Sequence, residues 1–263
     1  MKQSFLKTGG LLLAASALAV SLSTLHPTTA QEATPEATAV VTMEPTRSME
    51  GSGYVRLVNA SPDTQAVDIS FSGTAIATSL AFGSSVDFME MPAGTYTVEV
   101  RAAGADTSAA APVSKAVVLA PDVSTTLVVQ GLSAGNPALD LGVFLTQRGP
   151  TQGKARVEVI HAIPDADKVD VLSQGKPVLT EIKFGHMGAA PLDLPPGSYD
   201  FQVAPSGQTA DPVVSLPGTP LQADTIYTIV AIGQASNGSA KALTLTTTSP
   251  QQSAATPEAT PTS

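Results

Sequence analysis

One segment of this chain is written twice. Val55-Arg-Leu-Val-Asn-Ala-Ser-Pro-Asp63 aligns with Val157-Glu-Val-Ile-His-Ala-Ile-Pro-Asp165 at an offset of 102 positions. The same offset pairs Val67-Asp68 with Val169-Asp170 and Phe82-Gly83 with Phe184-Gly185. An extra residue then enters the second copy, so Pro92-Ala-Gly94-Thr-Tyr96 aligns with Pro195-Pro-Gly197-Ser-Tyr199 at an offset of 103. So long a period does not fit a solenoid, whose units are a few tens of residues. It predicts two duplicated domains, 54–148 and 154–248, joined by a short stretch rich in turn formers.

Within each copy the apolar period is two. Tyr96, Val98 and Val100 alternate with Thr97, Glu99 and Arg101, and Tyr199, Phe201 and Val203 alternate with Asp200, Gln202 and Ala204. Successive side chains of a strand point to opposite faces, so these runs bury one face and wet the other. Leu127-Val128-Val129 and the run Ile226–Ile232 are continuous and predict central strands. Gly and Pro punctuate the runs at sandwich spacing, and no helical stripe occurs between 54 and 248. The expectation is all-β, with a two-layer antiparallel sandwich in each copy. With no cysteine in the chain, there is no disulfide, no thiolate metal site and no cysteine nucleophile. In Pro-x-Gly-x-Tyr the chain reverses into a strand, and the expected role of the Tyr is to bury its ring and reach a backbone group with its hydroxyl, with sugar stacking as the alternative.

The ends read differently. Residues 1–30 have the form of a secretory signal peptide: Lys2 and Lys7, an apolar run from Leu11 to Leu22, and small residues at Thr28-Thr29-Ala30. The run is shorter than the ~20 residues of a spanning helix, although an uncleaved anchor is the competing reading. Residues 31–53 and 249–263 are rich in Thr, Pro, Ala and Glu and share the hexapeptide Ala-Thr-Pro-Glu-Ala-Thr. Such segments carry too little apolar side chain to offset ordering entropy, so a disordered linker and tail are expected, serving as a stalk or as inert solvated ends.

The run Val-Asn-Ala-Ser-Pro-Asp-x-x-x-Val-Asp-Ile, then Phe-Gly, then Met-Pro-Ala-Gly-Thr-Tyr-Thr-Val-Glu-Val resembles an extracytoplasmic bacterial family catalogued as domain of unknown function 4397. Both copies carry both of its motifs. The first has Asn59 where the family often has His, and the second has Ile163 for Ser and Pro-Pro-Gly for Pro-Ala-Gly. The resemblance implies an exported protein made of immunoglobulin-like sandwiches, and it implies no reaction.

The candidate ligand-binding residues are Asn59, Asp63, Asp68, His161, Asp165 and Asp170. Strand parity turns Asn59 and His161 inward, either to line a ligand or metal site or to plug loop backbone groups. Asn replaces His well in hydrogen bonding and poorly as a metal ligand, which favours the plug. Asp63 and Asp165 follow Pro in turns, where carboxylates bond backbone amides. Asp68 and Asp170 face water or cap a loop. Asp165-x-Asp167-x-x-Asp170 offers oxygen ligands for calcium, but the first copy keeps only two acids and neither has EF-hand spacing. Gly131-Leu-Ser133-Ala-Gly135 matches the G-x-S-x-G of serine hydrolases, yet a strand pattern follows it rather than a helix. No catalytic residue, metal ligand or cofactor is therefore expected.

The net charge of −9 argues against a nucleic-acid partner, whose phosphates demand clustered cations. The expected protein is an exported, non-catalytic tandem sandwich, secreted or at the cell surface. It would act in structure or adhesion with an envelope or extracellular protein or glycan. The alternatives are a binding module for a small ligand, glycan or divalent cation using the Asn59/His161 loops and, more remotely, a hydrolase at Ser133.

Overall fold

A computed structural model describes residues 50–147, 149 and 151–248, all within one compact unit, Glu44–Ser263. The expected leader, most of the linker before Ser52, and the 249–263 tail lie outside the described residues. The described part is all β, without helices.

The first repeat contains β1 (Ser52–Asn59), β2 (Ala66–Phe71), β3 (Thr74–Ala81), β4 (Ser85–Pro92), β5 (Gly94–Ala102), β6 (Val113–Leu119), β7 (Ser124–Gln130) and β8 (Asp140–Thr146). The second contains β9 (Ala155–His161), β10 (Lys168–Ser173), β11 (Lys176–Lys183), β12 (His186–Met187), β13 (Leu192–Leu194), β14 (Gly197–Pro205), β15 (Val214–Leu221), β16 (Thr225–Ile232) and β17 (Lys241–Thr248). Sheets β4-β1-β7-β8 and β3-β2-β5-β6 face each other in the first repeat. Their counterparts are the sheet in which β12 and β13 both pair with β9, continuing to β16 and β17, and β11-β10-β14-β15. The extra residue of the second copy falls between β12 and β13, where it divides the strand corresponding to β4. The β1–β4 ladder already slips between Val55 and Leu57, and the insertion enlarges that slip into a break.

Among the described residues, the named strands pair antiparallel except in two cases. β1 pairs parallel to β7, and β9 parallel to β16, because the chain visits the opposite sheet before returning beside its first strand. Register places Tyr54 beside Ser124, and Ser124 beside Thr146. Likewise Ala155 lies beside Thr225, and Thr225 beside Thr248. The β2–β3 hairpin turns on Ser72-Gly73 and its counterpart on Gln174-Gly175, all at positive φ, which is the two-residue turn that matches strand twist.

Inward-facing residues build one core per repeat: Leu57, Ile69, Phe71, Val98 and Leu127 in the first, and Val159, Val171, Phe201, Val203 and Ile229 in the second. A third core lies between the repeats. Val58, Ala60, Val128 and Phe144 meet Ile160, Ala162, Val230 and Leu245. The β1-β7 sheet therefore presses its outer face on the β9-β16 sheet, giving four stacked layers. That is why β7 is buried at every position and β16 at nearly every one, and why each carries an uninterrupted apolar run, Leu127–Val129 and Ile229–Ile232. The contacts are reciprocal between equivalent positions, as in a two-fold dimer: Gly83 lies against Ile232 and Lys241, while its equivalent Gly185 lies against Gln130.

Candidate functional site

The six candidate residues sit in three equivalent pairs, and each pair performs the same task in both repeats. Asn59 and His161, at the ends of β1 and β9, are fully buried. The Asn59 amide donates to Leu80 O at 3.0 Å, and its Oδ1 accepts from Ser61 N–H at 3.2 Å and Thr64 Oγ1 at 3.3 Å. His161 Nε2–H donates to Ala166 O at 2.7 Å, and Ile163 N–H donates to Nδ1 at 3.3 Å. Those bonds use both ring nitrogens and fix the neutral tautomer. Burial lowers the imidazole pKa, which the Ala166 carbonyl and the Asp167 charge only partly restore. Phe184 packs edge-on against the ring.

Asp63 and Asp165 follow Pro in the next loop and clamp the hairpin loop that closes each repeat. Asp63 accepts Ser133 N–H at 2.9 Å and Ser133 Oγ at 2.8 Å, and Asp165 accepts the amides of Ala235 and Ser236 at 2.8 Å. Ser133 and Ala235 are equivalent positions. Both clamped loops open on a glycine, Gly131 and Gly233, at positive φ; a Cβ there would stand 2.2 Å from Ala138 O and 2.4 Å from Ser239 O. Burial raises each carboxyl's pKa, but the amides and hydroxyls aimed at the anion outweigh it and hold both below the ordinary carboxylate value.

Asp68 and Asp170 tie β2 and β10 to two neighbours at once. Asp68 accepts the amides of Ser79 at 2.7 Å and Gly104 at 2.8 Å. Asp170 accepts those of Glu181 and Gly207 at 2.8 Å, and Ser206 Oγ at 2.8 Å. Ser79 and Glu181 stand at positive φ in matching strand irregularities, so each carboxylate caps an exposed-backbone kink. Asp170 is held below the ordinary carboxylate value, because these bonds outweigh its burial. Its carboxylate and that of Asp165 thus face different loops.

Ser133 occupies the loop between β7 and β8, so a strand rather than a helix follows it, and its hydroxyl donates to Asp63. His186, exposed on β12, bonds Phe184 O through Nδ1 at 3.0 Å. The tyrosine hydroxyls of the Pro-x-Gly-x-Tyr elements reach back four residues, Tyr96 to Pro92 O at 2.8 Å and Tyr199 to Pro195 O at 3.0 Å. Their rings lie on Phe71 and Phe201.

Two further residues lie in the core between repeats. Arg56, 1% exposed, has as its equivalent Glu158, 2% exposed. Simple alternation reads both as solvent-facing, and nothing in a single sequence marks them otherwise.

The fold and its paired clamps define a tandem β-sandwich whose shared polar residues recur position by position in both copies. The chain belongs to the family defined by a domain of unknown function (DUF4397), whose model matches residues 53–162 and 155–258. No curated protein matches it. Among solved structures, the Bacillus anthracis TIE protein is 12% identical over 70% of this chain, with a TM-score of 0.22. The match spans 34% of the TIE protein's own length. A structure described as alpha-glucan binding by a streptococcal virulence factor is 10% identical over 72% of this chain and 96% of that one, also with a TM-score of 0.22.

Proposed function

We propose that this protein is an exported, non-catalytic β-sandwich module that acts in structure or adhesion at the bacterial envelope or outside the cell. The observation that carries the reading is the use made of its repeated polar residues. Asn59, Asp63, Asp68 and their equivalents direct their hydrogen bonds at neighbouring backbone groups and Ser/Thr hydroxyls of their own repeat, and the two aspartate pairs do so at matching positions. Duplication that preserves bracing is what a shape-bearing module retains. The leader-like residues 1–30 and the Thr/Pro-rich flanks support export and a stalked or released form. Among the described residues, no helix is long and apolar enough to cross a membrane.

The test is fractionation of the native cell with N-terminal sequencing. The expected result is a chain in the envelope or medium that starts at Gln31. A cytosolic chain retaining Met1 or Lys2 would overturn the reading. A fluorophosphonate probe supplies the second arm, because labelling that disappears in Ser133→Ala would make the protein a hydrolase. Ligand binding through the Asn59/His161 loops is the weaker alternative, since both nitrogens of His161 already have partners in the chain.

A further inference from the structure

The two repeats differ most usefully on the outer face of their outermost sheets. In the first repeat, β2 and β5 run side by side with Asp68 opposite Arg101 and Ser70 opposite Glu99. The β5–β6 loop folds over this face, held by Arg101 Nη2 donating to Ala109 O at 2.8 Å. Beneath it lies a cavity of about 210 Å³, lined by Asp68, Ser70, Thr78, Glu99, Arg101 and Thr107 among others.

The second repeat is an internal control. There Leu172 replaces Ser70, Gln202 replaces Glu99 and Ala204 replaces Arg101, in the same register. Leu172 and Ala204 are fully buried. One fold has thus been given an apolar filling in one copy and a charged, hydroxyl-lined hollow in the other. Bracing the sheet requires only the filling, as the second copy demonstrates.

We infer that the cavity under the β5–β6 loop of the first repeat is a binding site for a small neutral polyhydroxylated molecule, a single sugar ring or a cyclic polyol. Arg101 Nη1 pairs with Glu99 Oε2 at 2.8 Å, so the two charges neutralise each other inside the site. Asp68 remains, in a chain of net charge −9, and this disfavours an anionic ligand. Arg101 Nε is buried without a hydrogen-bond partner among the described residues. A buried donor left unsatisfied is costly, and a ligand hydroxyl can accept from it. Glu99 has a second carboxylate oxygen to receive the hydroxyl's own proton. Ser70, Thr78 and Thr107 donate and accept alike, the mixed capacity that vicinal hydroxyls match. The hollow is smaller than the usual drug-sized pocket of roughly 300–1,000 Å³, which sets the ligand at one ring.

Saturation-transfer NMR on the full chain with glucose, N-acetylglucosamine and myo-inositol tests the site. Saturable binding of at least one of them is expected, with one site per chain. Ser70→Leu copies the filling of the second repeat and should weaken binding by about tenfold or more, equivalent to 1.4 kcal/mol. Arg101→Ala should do the same without introducing bulk, whereas Gln202→Ala in the second repeat should leave binding intact. Absence of saturable binding by all three probes overturns the proposal. Binding that survives both Ser70→Leu and Arg101→Ala also overturns it, because it places the site elsewhere.

Discussion

Arg56 and Glu158 hold the same position in the two repeats, and Arg56 reaches across the boundary to Thr228, the register neighbour of Glu158. Arg56 Nη2 donates to Thr228 Oγ1 at 2.8 Å, and Thr228 stands beside Glu158 in the parallel β9–β16 ladder, where Glu158 Oε1 accepts Gln147 N–H at 3.0 Å. Arg56 also bonds Thr126, the equivalent of Thr228, and its guanidinium lies 4.4 Å from the centre of the Phe88 ring. A duplicated surface that packs on itself places equivalent residues face to face. Two arginines or two glutamates would repel there, whereas one of each attracts, so divergence at this position favours pairing between unlike repeats.

Removing one member should therefore cost far more than removing both. Arg56→Met removes the stronger of the two cationic influences on buried Glu158, Arg156 being the other, together with the bonds to Thr126 and Thr228, and should destabilise the protein by about 1–3 kcal/mol. The double variant Arg56→Met/Glu158→Met should recover most of that loss. Urea unfolding of the two single variants and the double variant measures the coupling, and strictly additive effects would show the residues to be independent.

The buried imidazole makes stability depend on pH. Burial holds His161 below the ordinary 6.5, so as pH falls through that value the unfolded chain takes up a proton and the folded chain does not. Stability is therefore lost as pH falls from 6.5 toward the folded value. Glu158 acts with the opposite sign. Burial raises it above 4.5, so stability rises as pH falls from the raised value toward 4.5. In His161→Asn, which installs the residue used by the first repeat, the acid-side loss of melting temperature below 6.5 should shrink. An unchanged pH profile in that variant would assign the loss to other groups.

The aspartate clamps should be separable by repeat. Asp63→Ala leaves the Ser133 amide without its acceptor and should cost about 1–3 kcal/mol, the range for a lost charged hydrogen bond. Hydrogen exchange should accelerate at Ser133 and Ala134 while Ala235 and Ser236 keep their protection; Asp165→Ala should reverse that pattern. Equal acceleration in both loops would contradict the assignment of each carboxylate to its own hairpin.

Tyr96→Phe and Tyr199→Phe each delete one hydroxyl bond to a proline carbonyl and keep the ring in place. Each should lower stability by about 1 kcal/mol. A loss several times larger in either variant would mean that the ring packing had changed as well.

Strand alternation alone marks Val98, Val100, Phe201 and Val203 as core, and the Pro-x-Gly-x-Tyr spacing alone makes the tyrosine hydroxyl bonds legible. Stacking of one sandwich on the other is hidden for a physical reason. Val58, Val128, Ile160 and Val230 have outward parity, and beside their inward neighbours they merge into continuous apolar runs. Such a run marks burial on both faces without naming what covers the second. Arg56 is obscured more deeply, because a charged residue alternating with Val55 and Leu57 matches a wet face. Placing Asp68 or Asp170 as a loop cap requires the kink at Ser79 or Glu181, which no residue pattern announces. The hollow beside Arg101 depends on where the β5–β6 loop folds, and that is a tertiary fact.

Strand register also gives the molecule a direction. Tyr54, Thr146, Ala155 and Thr248 all lie at the ends of their ladders where each first strand begins, while Asn59 and His161 lie at the far ends. Gly83 beside Lys241, and Gly185 beside Gln130, align the far ends of both repeats on the same side. The flanking segments therefore attach at one pole, and a tether gripping either of them would turn the loops braced by Asp63 and Asp165 toward whatever approaches from outside.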